Sequence, residues 1–311
     1  MGKFFQVLQR AEKGRQLYKQ ITKETLPKEV KAEGNLLAYP LEQRRSRDNG
    51  GETLLPLGVN NDQTAEILQK VNPHLVSLLA PASLEAERYR TVSFNIEQLH
   101  KERGLTVVAV SSPGAGDGKT TTAINLAATL AQTPETRILL IDLDLRRPSI
   151  VSTLGLRLRS KGVVGAVTDC SVHVADVTWK WPSLDLTILP AGRAQSAPHE
   201  VLKSPRFGEL LAEARRQYDY VVLDTPPLAP FPDCKTIGQW VDGFLMVISA
   251  HKTPRKLLDE AMATMDSAKF IGIVFNYEDL TTQKYYSYNA YDAPRKPDGH
   301  LAQLWRRFSL G

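Results

Sequence analysis

The sequence predicts an α/β fold in which a doubly wound, mostly parallel sheet is flanked by disordered tails, and three observations support this fold class. Short apolar segments rich in β-branched residues alternate with helical patterns from residue 83 onward. These segments carry charge only near their ends, as strands do when helices cover both faces of a sheet. A glycine-rich stretch joins the first strand to a helix, at the carboxyl edge where such sheets bind ligands.

Six segments have the length and composition of strands. They are TVVAV, RILLIDL, LTIL, YVVLD, GFLMVI and IGIVF. Before them, the segment LEAERYRTVSFNIEQL predicts a helix, because Ser83 can cap its first turn and Tyr89, Val92 and Ile96 recur at helical spacing. A second helix is predicted from Lys119 to about Leu130, directly after the glycine-rich stretch.

The stretch TVVAVSSPGAGDGKTT indicates a phosphate-binding loop, or P-loop. Gly114, Gly116 and Gly118 permit a tight turn that brings several N–H groups to one point, and the following helix adds the positive end of its dipole. Lys119 can reach the outer phosphates of a nucleotide, and the Thr120 hydroxyl can ligate Mg²⁺.

The spacing of this loop departs from the pattern G-x-x-x-x-G-K-[ST], because Pro113 stands five positions before Gly118. A glycine loop that only turns the chain is the alternative interpretation. The order of strand, three glycines, Lys-Thr and helix favours nucleotide binding. The predicted nucleotide contacts in the loop are Gly114, Ala115, Gly116, Asp117, Gly118, Lys119, Thr120 and Thr121.

Acidic residues close two other predicted strands. In RILLIDLDLRRP, Asp142 and Asp144 are two residues apart, so both carboxylates lie on one side if the strand stays extended. Asp224 ends YDYVVLD before a Pro-Pro turn, as a Walker B aspartate does beside Mg²⁺. The alternative for the first two carboxylates is a salt bridge with Arg146 and Arg147.

Composition sets further limits. The chain has 311 residues, 42% of them hydrophobic and 23% charged, which is ordinary for a soluble globular protein. The longest apolar runs are far shorter than a bilayer span, and the N-terminus lacks the apolar region of a secretory signal. Cys170 and Cys234 have no metal-ligand spacing and are interpreted as thiols in a reducing cytoplasm.

The net charge of +5 is concentrated at the ends of the chain. Residues 1–54 hold 11 Lys or Arg against 7 Asp or Glu, and residues 281–311 hold 5 against 2. Nucleic-acid-binding domains usually carry such charge on a folded face, so no nucleic acid partner is predicted. Basic tails suit an anionic membrane surface or an acidic partner, or they are merely solvated.

Four regions are predicted along the chain. Residues 1–26 contain a basic amphipathic helix, and residues 27–81 form a flexible linker with scattered prolines and polar tracts. Residues 82–280 form the P-loop domain, and residues 281–311 form a tail. A short helix near Ala65 to Val71 is the only structure expected within the linker.

At this point the motifs resemble those of the bacterial tyrosine kinases (BY-kinases) of capsule and exopolysaccharide biosynthesis. SSPGAGDGKTTTAINLA resembles their Walker A motif, LLIDLDLRRP their Walker A′ motif and YDYVVLDTPP their Walker B motif. The ordered set is more specific than any single member. The resemblance implies a P-loop NTPase of the deviant-Walker, or SIMIBI-like, class.

The resemblance also implies an ATP- and Mg²⁺-dependent protein-tyrosine kinase. Lys119 would hold the phosphates, and Thr120, Asp144 and Asp224 would hold Mg²⁺ directly or through water. Asp142 is assigned as the base, although it and Asp144 can exchange roles. Two further residues have open roles: Arg146 either stabilises phosphate charge or pairs with an aspartate, and Asn276 either reads adenine or is a plain strand-end Asn.

Autophosphorylation of a C-terminal tyrosine cluster is a property of this family. The tail KYYSYNAYDAPRKPDG provides such a cluster, and an aromatic tail that only docks on a partner is the alternative. The predicted phosphoacceptors are Tyr285, Tyr286, Tyr288 and Tyr291.

The resemblance implies a cytoplasmic homo-oligomer that is recruited to the inner face of the plasma membrane by a membrane polysaccharide chain-length regulator, which activates it. Direct membrane contact is peripheral at most; the C-terminal segment 301–311 either forms a short interfacial helix or docks on the kinase body. The family's oligomerisation helix reads E-x-x-R-x-x-R, whereas Glu87 and Arg90 are followed here by Ser93, which puts an arginine-held ring in doubt.

Two other functions remain open. One is a deviant-Walker ATPase switch, although Gly114 stands where those proteins carry a signature Lys. The other is a pseudokinase adaptor in the polysaccharide assembly complex.

Overall fold

The computed structural model describes residues 70–157, 160–169, 171–193, 197–229 and 232–277. The predicted N-terminal helix, most of the linker, Cys170 and the tyrosine cluster lie outside these residues. The chain divides into one unit that ends at Asn276 and a second from Tyr277 to Gly311. All elements below belong to the first unit.

Strands in the described part of the chain form a seven-stranded sheet. Their bounds are β1 Val107–Ser111, β2 Ile138–Asp142, β3 Trp179–Lys180, β4 Leu186–Leu189, β5 Tyr220–Asp224, β6 Gly243–Ser249 and β7 Phe270–Asn276. The order is β3-β4-β2-β5-β1-β6-β7, and all neighbours are parallel except β3, which pairs antiparallel with β4. The predicted fold class is confirmed, and each predicted strand lies within one residue of an observed one. The two-residue β3 is too short to give a periodic signal.

Helices connect the strands and cover both faces of the sheet. They are α1 Val76–Leu79, α2 Leu84–Arg103, α3 Lys119–Leu130, α4 Ile150–Thr153, α5 Gly162–Thr168, α6 Val174–Val177, α7 Pro198–Lys203, α8 Pro205–Gln217, α9 Asp233–Ile237 and α10 Arg255–Ala263, with a 3₁₀ turn at Ser267–Lys269. On β1, Val108 lies in one apolar cluster with Ile124 of α3, whereas Ala109 lies in another with Phe207 of α8. Alternate residues of the strand therefore face opposite layers, which explains its charge-free sequence.

The predicted start of α2 agrees with the structure. The Ser83 hydroxyl accepts a hydrogen bond from the Ala86 N–H at 3.2 Å, and the helix ends at Gly104, whose φ of 68° is left-handed. Ser93, where the resembled helices carry their second Arg, is buried and donates to Glu97 Oε1 at 3.0 Å. This position therefore makes a contact within its own helix.

The last part of the predicted linker differs from the expectation. Val71 and Leu75 are buried, and the segment packs on α3 through α1. Asn125 of α3 accepts the Ser77 N–H at 2.9 Å through Oδ1 and donates to the His74 carbonyl at 2.9 Å through Nδ2. A residue about fifty positions away thus orders this segment, and its local sequence of prolines and few apolar residues does not reveal that partner.

Among the described residues, no helix is both long enough and apolar enough to cross a bilayer.

Candidate active site

The glycine-rich loop connects β1 to α3 at the carboxyl edge of the sheet. Gly116 and Gly118 have φ angles of 86° and 91°, which side-chain-bearing residues rarely adopt. A Cβ at Gly114 would lie 3.1 Å from Leu257 Cδ2, which is tighter than ordinary contact. No side chain of the described residues caps α3, so its first N–H groups remain suited to an anion.

Lys119 lies between two carboxylates at the start of α3. Its Nζ is 2.9 Å from Asp144 Oδ2 and 3.7 Å from Asp224 Oδ1. The Thr120 hydroxyl donates to Asp224 Oδ2 at 2.7 Å and lies 3.0 Å from the Ser149 hydroxyl. The loop, β2 and β5 therefore bring the predicted phosphate-binding and metal-binding side chains together.

These groups meet because of the strand register. Asp224 of β5 pairs with Val110 of β1 on one side and with Asp142 of β2 on the other. Parallel strands that end at the same level place their terminal side chains at one edge. The site consequently spans three adjacent strands.

Asp142 and Asp144 do not share the extended strand on which the sequence argument depended. Strand β2 ends at Asp142, and the Asp144 N–H donates to Asp142 Oδ1 at 3.2 Å. Asp142 Oδ2 accepts the N–H groups of Ser149 at 2.9 Å and Ile150 at 3.0 Å. The two carboxylates thus make different contacts: Asp142 holds the turn before α4, and Asp144 meets Lys119.

Burial controls the electrostatics of this cluster. It raises the pKa of Asp142, assisted by the charge of Asp224 and opposed by the N–H groups of Ile150 and Ser149. It also raises the pKa of Asp224, although Lys119 and Thr120 oppose the shift. For Lys119, burial is the largest influence and disfavours the ammonium, but the charges of Asp224 and Asp144 together outweigh it and raise its pKa. The carboxylates of Asp144 and Asp224 together exceed the single charge of the Lys119 ammonium between them, which favours an additional cation.

One oxygen in the cluster fits a magnesium ion. Asp224 Oδ1 is buried and accepts no hydrogen bond from the described residues. Within the same residues, no three acidic, His or Cys side chains converge on one metal position. This arrangement suits Mg²⁺, because proteins usually hold that ion with one or two carboxylates together with substrate phosphates. Asp224, Thr120 and Asp144 are the ligands that the cluster offers.

Arg146 pairs with an aspartate, one of the two roles left open for it, and the sequence did not indicate which aspartate. Its Nε donates to Asp233 Oδ2 at 2.7 Å and its Nη2 to Asp233 Oδ1 at 3.3 Å. The carboxylate that Arg146 contacts through these two hydrogen bonds therefore lies on α9, outside the pair of Asp142 and Asp144. Arg147 meets Asp144 only through its backbone N–H, at 3.1 Å.

Asn276 lies at the end of β7 beside the loop. Its Nδ2 donates to the Asp117 carbonyl at 3.1 Å. Sequence reasoning missed Ser149, Asp233 and a third contact residue, Thr253, whose hydroxyl bonds Asp117. These are common polar residues outside any motif, and only the fold brings them to the site.

Comparisons with known proteins agree with this geometry. Residues 105–231 match the family model described as an AAA domain. Tyrosine-protein kinase YwqD of Bacillus subtilis is 33% identical over 222 residues, which cover 70% of this chain and 92% of YwqD. Tyrosine-protein kinase CpsD of Streptococcus agalactiae is 28% identical over 217 residues, which cover 69% and 93%. Succinoglycan biosynthesis transport protein ExoP of Rhizobium meliloti is 31% identical over 220 residues, but these cover only 27% of ExoP.

Solved structures give the same result. The VpsO kinase domain is 32% identical with a TM-score of 0.55, covering 63% of this chain and 98% of that domain. The kinase domain of the Escherichia coli tyrosine kinase ETK shares the fold, with a TM-score of 0.61 at 24% identity over 67% of this chain and 80% of that domain. From the match to nearly all of YwqD and the P-loop fold, we conclude that this chain belongs to the bacterial tyrosine kinases.

Proposed function

We propose that this chain transfers the γ-phosphoryl group of ATP to its own C-terminal tyrosine cluster and thereby regulates capsular or exopolysaccharide synthesis and export. The observation that carries the proposal is the position of Lys119, which pairs with Asp144 and Asp224 at the first residue of the P-loop helix. The proposed acceptors are Tyr285, Tyr286, Tyr288 and Tyr291, which lie outside the described residues.

Nucleotide binding is assigned to the loop and to the start of α3. The backbone of residues 114–119 and the Lys119 ammonium bind the β- and γ-phosphates, as in other P-loops. The Gly114 N–H is itself bonded to Asp117 Oδ2 at 3.1 Å. Thr120, Asp144 and Asp224 hold Mg²⁺, which supplies charge neutralisation on the phosphates when bound. Thr121 belongs to the same first turn, and Asn276 is proposed to contact adenine.

Proton handling is assigned to Asp142. A tyrosine hydroxyl has a pKa of about 10, so a carboxylate does not remove its proton before transfer begins. The tyrosine oxygen attacks the γ-phosphorus while the bond to the ADP oxygen breaks, and Asp142 orients the hydroxyl and accepts its proton late. This assignment follows the resemblance of LLIDLDLRRP to the Walker A′ motif.

The proposed partners and location rest on the family resemblance. Relatives include a succinoglycan biosynthesis transport protein, ExoP, so a membrane polysaccharide chain-length regulator is the proposed partner and activator of this chain. We propose that the chain works in the cytoplasm as a homo-oligomer that this partner recruits to the inner face of the membrane. Ser93 bonds Glu97 within α2, so this position supplies no arginine to the proposed oligomer.

Incubation of the full chain with Mg-ATP and a cytoplasmic fragment of the activator tests the function. We expect phosphotyrosine by immunodetection and phosphate on the tail by mass spectrometry. A variant with Phe at all four tail tyrosines is the matched control, since it leaves the site intact, and Asp142→Asn should slow transfer strongly.

Two outcomes would contradict the proposal. Absence of phosphotyrosine in the wild-type chain, with activator present, would exclude the kinase function. If the four-Phe variant forms as much phosphotyrosine as the wild-type chain, the acceptor is not one of the four tail tyrosines. Unchanged polysaccharide output in a Lys119→Met strain would instead favour the adaptor.

A further inference from the structure

The phosphate loop contains a single acidic residue, Asp117, and this side chain is buried. Its Oδ2 accepts the Gly114 N–H at 3.1 Å, which closes the turn within the loop. Its Oδ1 accepts the Thr253 hydroxyl at 2.7 Å. Both carboxylate oxygens therefore point into protein contacts, and one contact leaves the loop altogether.

Thr253 belongs to the turn between β6 and α10. Its hydroxyl accepts the Ser249 N–H at 3.0 Å, and its own N–H donates to the Ser249 carbonyl at 3.0 Å. With one lone pair engaged by Ser249, the hydroxyl directs its proton to Asp117. The side chain thus joins the end of β6 to the loop after β1.

This turn and the first residues of α10 approach the loop at two other points. Leu257 Cδ2 is 3.1 Å from the position that a Cβ would take at Gly114, and Lys252 Nζ is 4.0 Å from the corresponding position at Gly116. The Asp117 carbonyl also accepts a hydrogen bond from Asn276 of β7. Segment 249–257 therefore forms one wall of the loop. Within this segment, Thr253 donates the hydrogen bond to Asp117, the single carboxylate of the loop.

We infer that Thr253 is a positioning residue for nucleotide binding, acting through Asp117 to hold the phosphate loop in its binding conformation. Three glycines give the free loop many alternative conformations, and a binding site ordered in advance binds its ligand more tightly. The Thr253 hydroxyl restricts those alternatives without touching the nucleotide itself. The inference rests on the proposed nucleotide site.

Calorimetric titration of the full chain with Mg-ADP tests the inference, because ADP engages the loop without turnover. We expect Thr253→Val, which keeps the shape but lacks the hydroxyl, to bind about tenfold more weakly, equivalent to about 1.4 kcal/mol. Thr253→Ser keeps the hydroxyl and should stay within about twofold of the parent. Thr264→Val is the matched control, because among the described residues the Thr264 hydroxyl bonds only the Ala261 carbonyl, at 2.6 Å.

The Kd of the folded protein separates positioning from general stability, since a purely structural role would lower the melting temperature and leave that Kd unchanged. Rescue by Ser then attributes the change in Kd to the hydroxyl. If Thr253→Val does not fold, Thr253→Ala carries the same expectation. Equal affinity of the hydroxyl-free Thr253 variant and Thr264→Val would overturn the inference alone. A parent chain that binds no Mg-ADP would overturn the proposed function as well.

Discussion

Arg146 and Asp233 form a two-point ion pair between the segment after β2 and the first residue of α9. The aspartate side chain is 1% exposed and the arginine 28%. The guanidinium therefore bridges two parts of the chain that are far apart in sequence. Arg146 lies in the Walker A′ segment, close in sequence to Asp142 and Asp144. Its carboxylate partner, Asp233, lies outside that segment.

Removing this partner should destabilise the protein. Asp233→Asn leaves a partly buried guanidinium without its carboxylate, and we expect a loss of about 2 kcal/mol in the free energy of unfolding, below the range for fully buried pairs. Urea denaturation measures the loss. Glu209→Gln is the control, because its pair with Arg206 is exposed and should contribute under about 0.5 kcal/mol. Equal effects of the two substitutions would contradict this assignment.

Lys119→Met should abolish transfer by removing the ammonium that faces the phosphates. We expect at least about a hundredfold lower rate of tyrosine phosphorylation, the scale at which loss of one charge-stabilising donor acts. Lys203→Met, on an exposed position of α7, should leave the rate unchanged. A Lys119→Met rate near that of the control would remove this residue from the mechanism.

The free energy of unfolding should depend on pH because of Asp242. It accepts hydrogen bonds from Arg215 and from the N–H groups of Thr106 and Val107. Burial is the largest influence and opposes its charge, but these donors outweigh it and lower the pKa of Asp242. Because the pKa of Asp242 is lower in the folded protein, its ionised form stabilises the fold fully at pH values above the unfolded-state pKa of about 3.9. This stabilisation is lost as the pH falls through the folded-state pKa.

Thermal denaturation of Asp242→Asn at several pH values tests this point. At neutral pH we expect the substitution to lose about 2 kcal/mol, the scale of hydrogen bonds to a charged group. The difference from the wild type should shrink as the pH falls below about 3.9. A difference that does not change with pH would argue against an ionised Asp242.

Asn125→Ala should release the segment before α2. The substitution leaves the buried Ser77 N–H without its partner and removes the hydrogen bond to the His74 carbonyl, which should cost about 2 kcal/mol. Limited proteolysis should then cut the segment 72–81 faster. Gln132→Ala, which removes a single hydrogen bond to the Ser77 carbonyl, should have a smaller effect, about 1 kcal/mol. Equal protection in both variants would show that other contacts hold the segment.

The strands and the phosphate-binding loop could be predicted from the sequence because their signals are local. Apolar runs bounded by polar residues gave β1 and β5, and Gly118 followed by Lys119 gave the start of α3. The direction of a side chain after a strand end is not local. Asp142 points to Ser149 because β2 stops there, and no periodicity encodes that stop.

Long-range polar contacts were likewise inaccessible. Asn125 orders the segment around Ser77, and Thr253 contacts Asp117, yet each pair is separated by dozens of residues. An isolated Asn or Thr is compatible with many environments, so its type carries little information about its partner. The fold has to be known before such contacts can be assigned.

The register that places Val110, Asp224 and Asp142 side by side has a thermal consequence. The three strands that carry the site are central in the sheet, and none of them is an edge strand that can fray alone. Heat should therefore inactivate the enzyme at the temperature at which the whole sheet melts. The central strands retain the catalytic geometry until that cooperative transition and lose it in the same step.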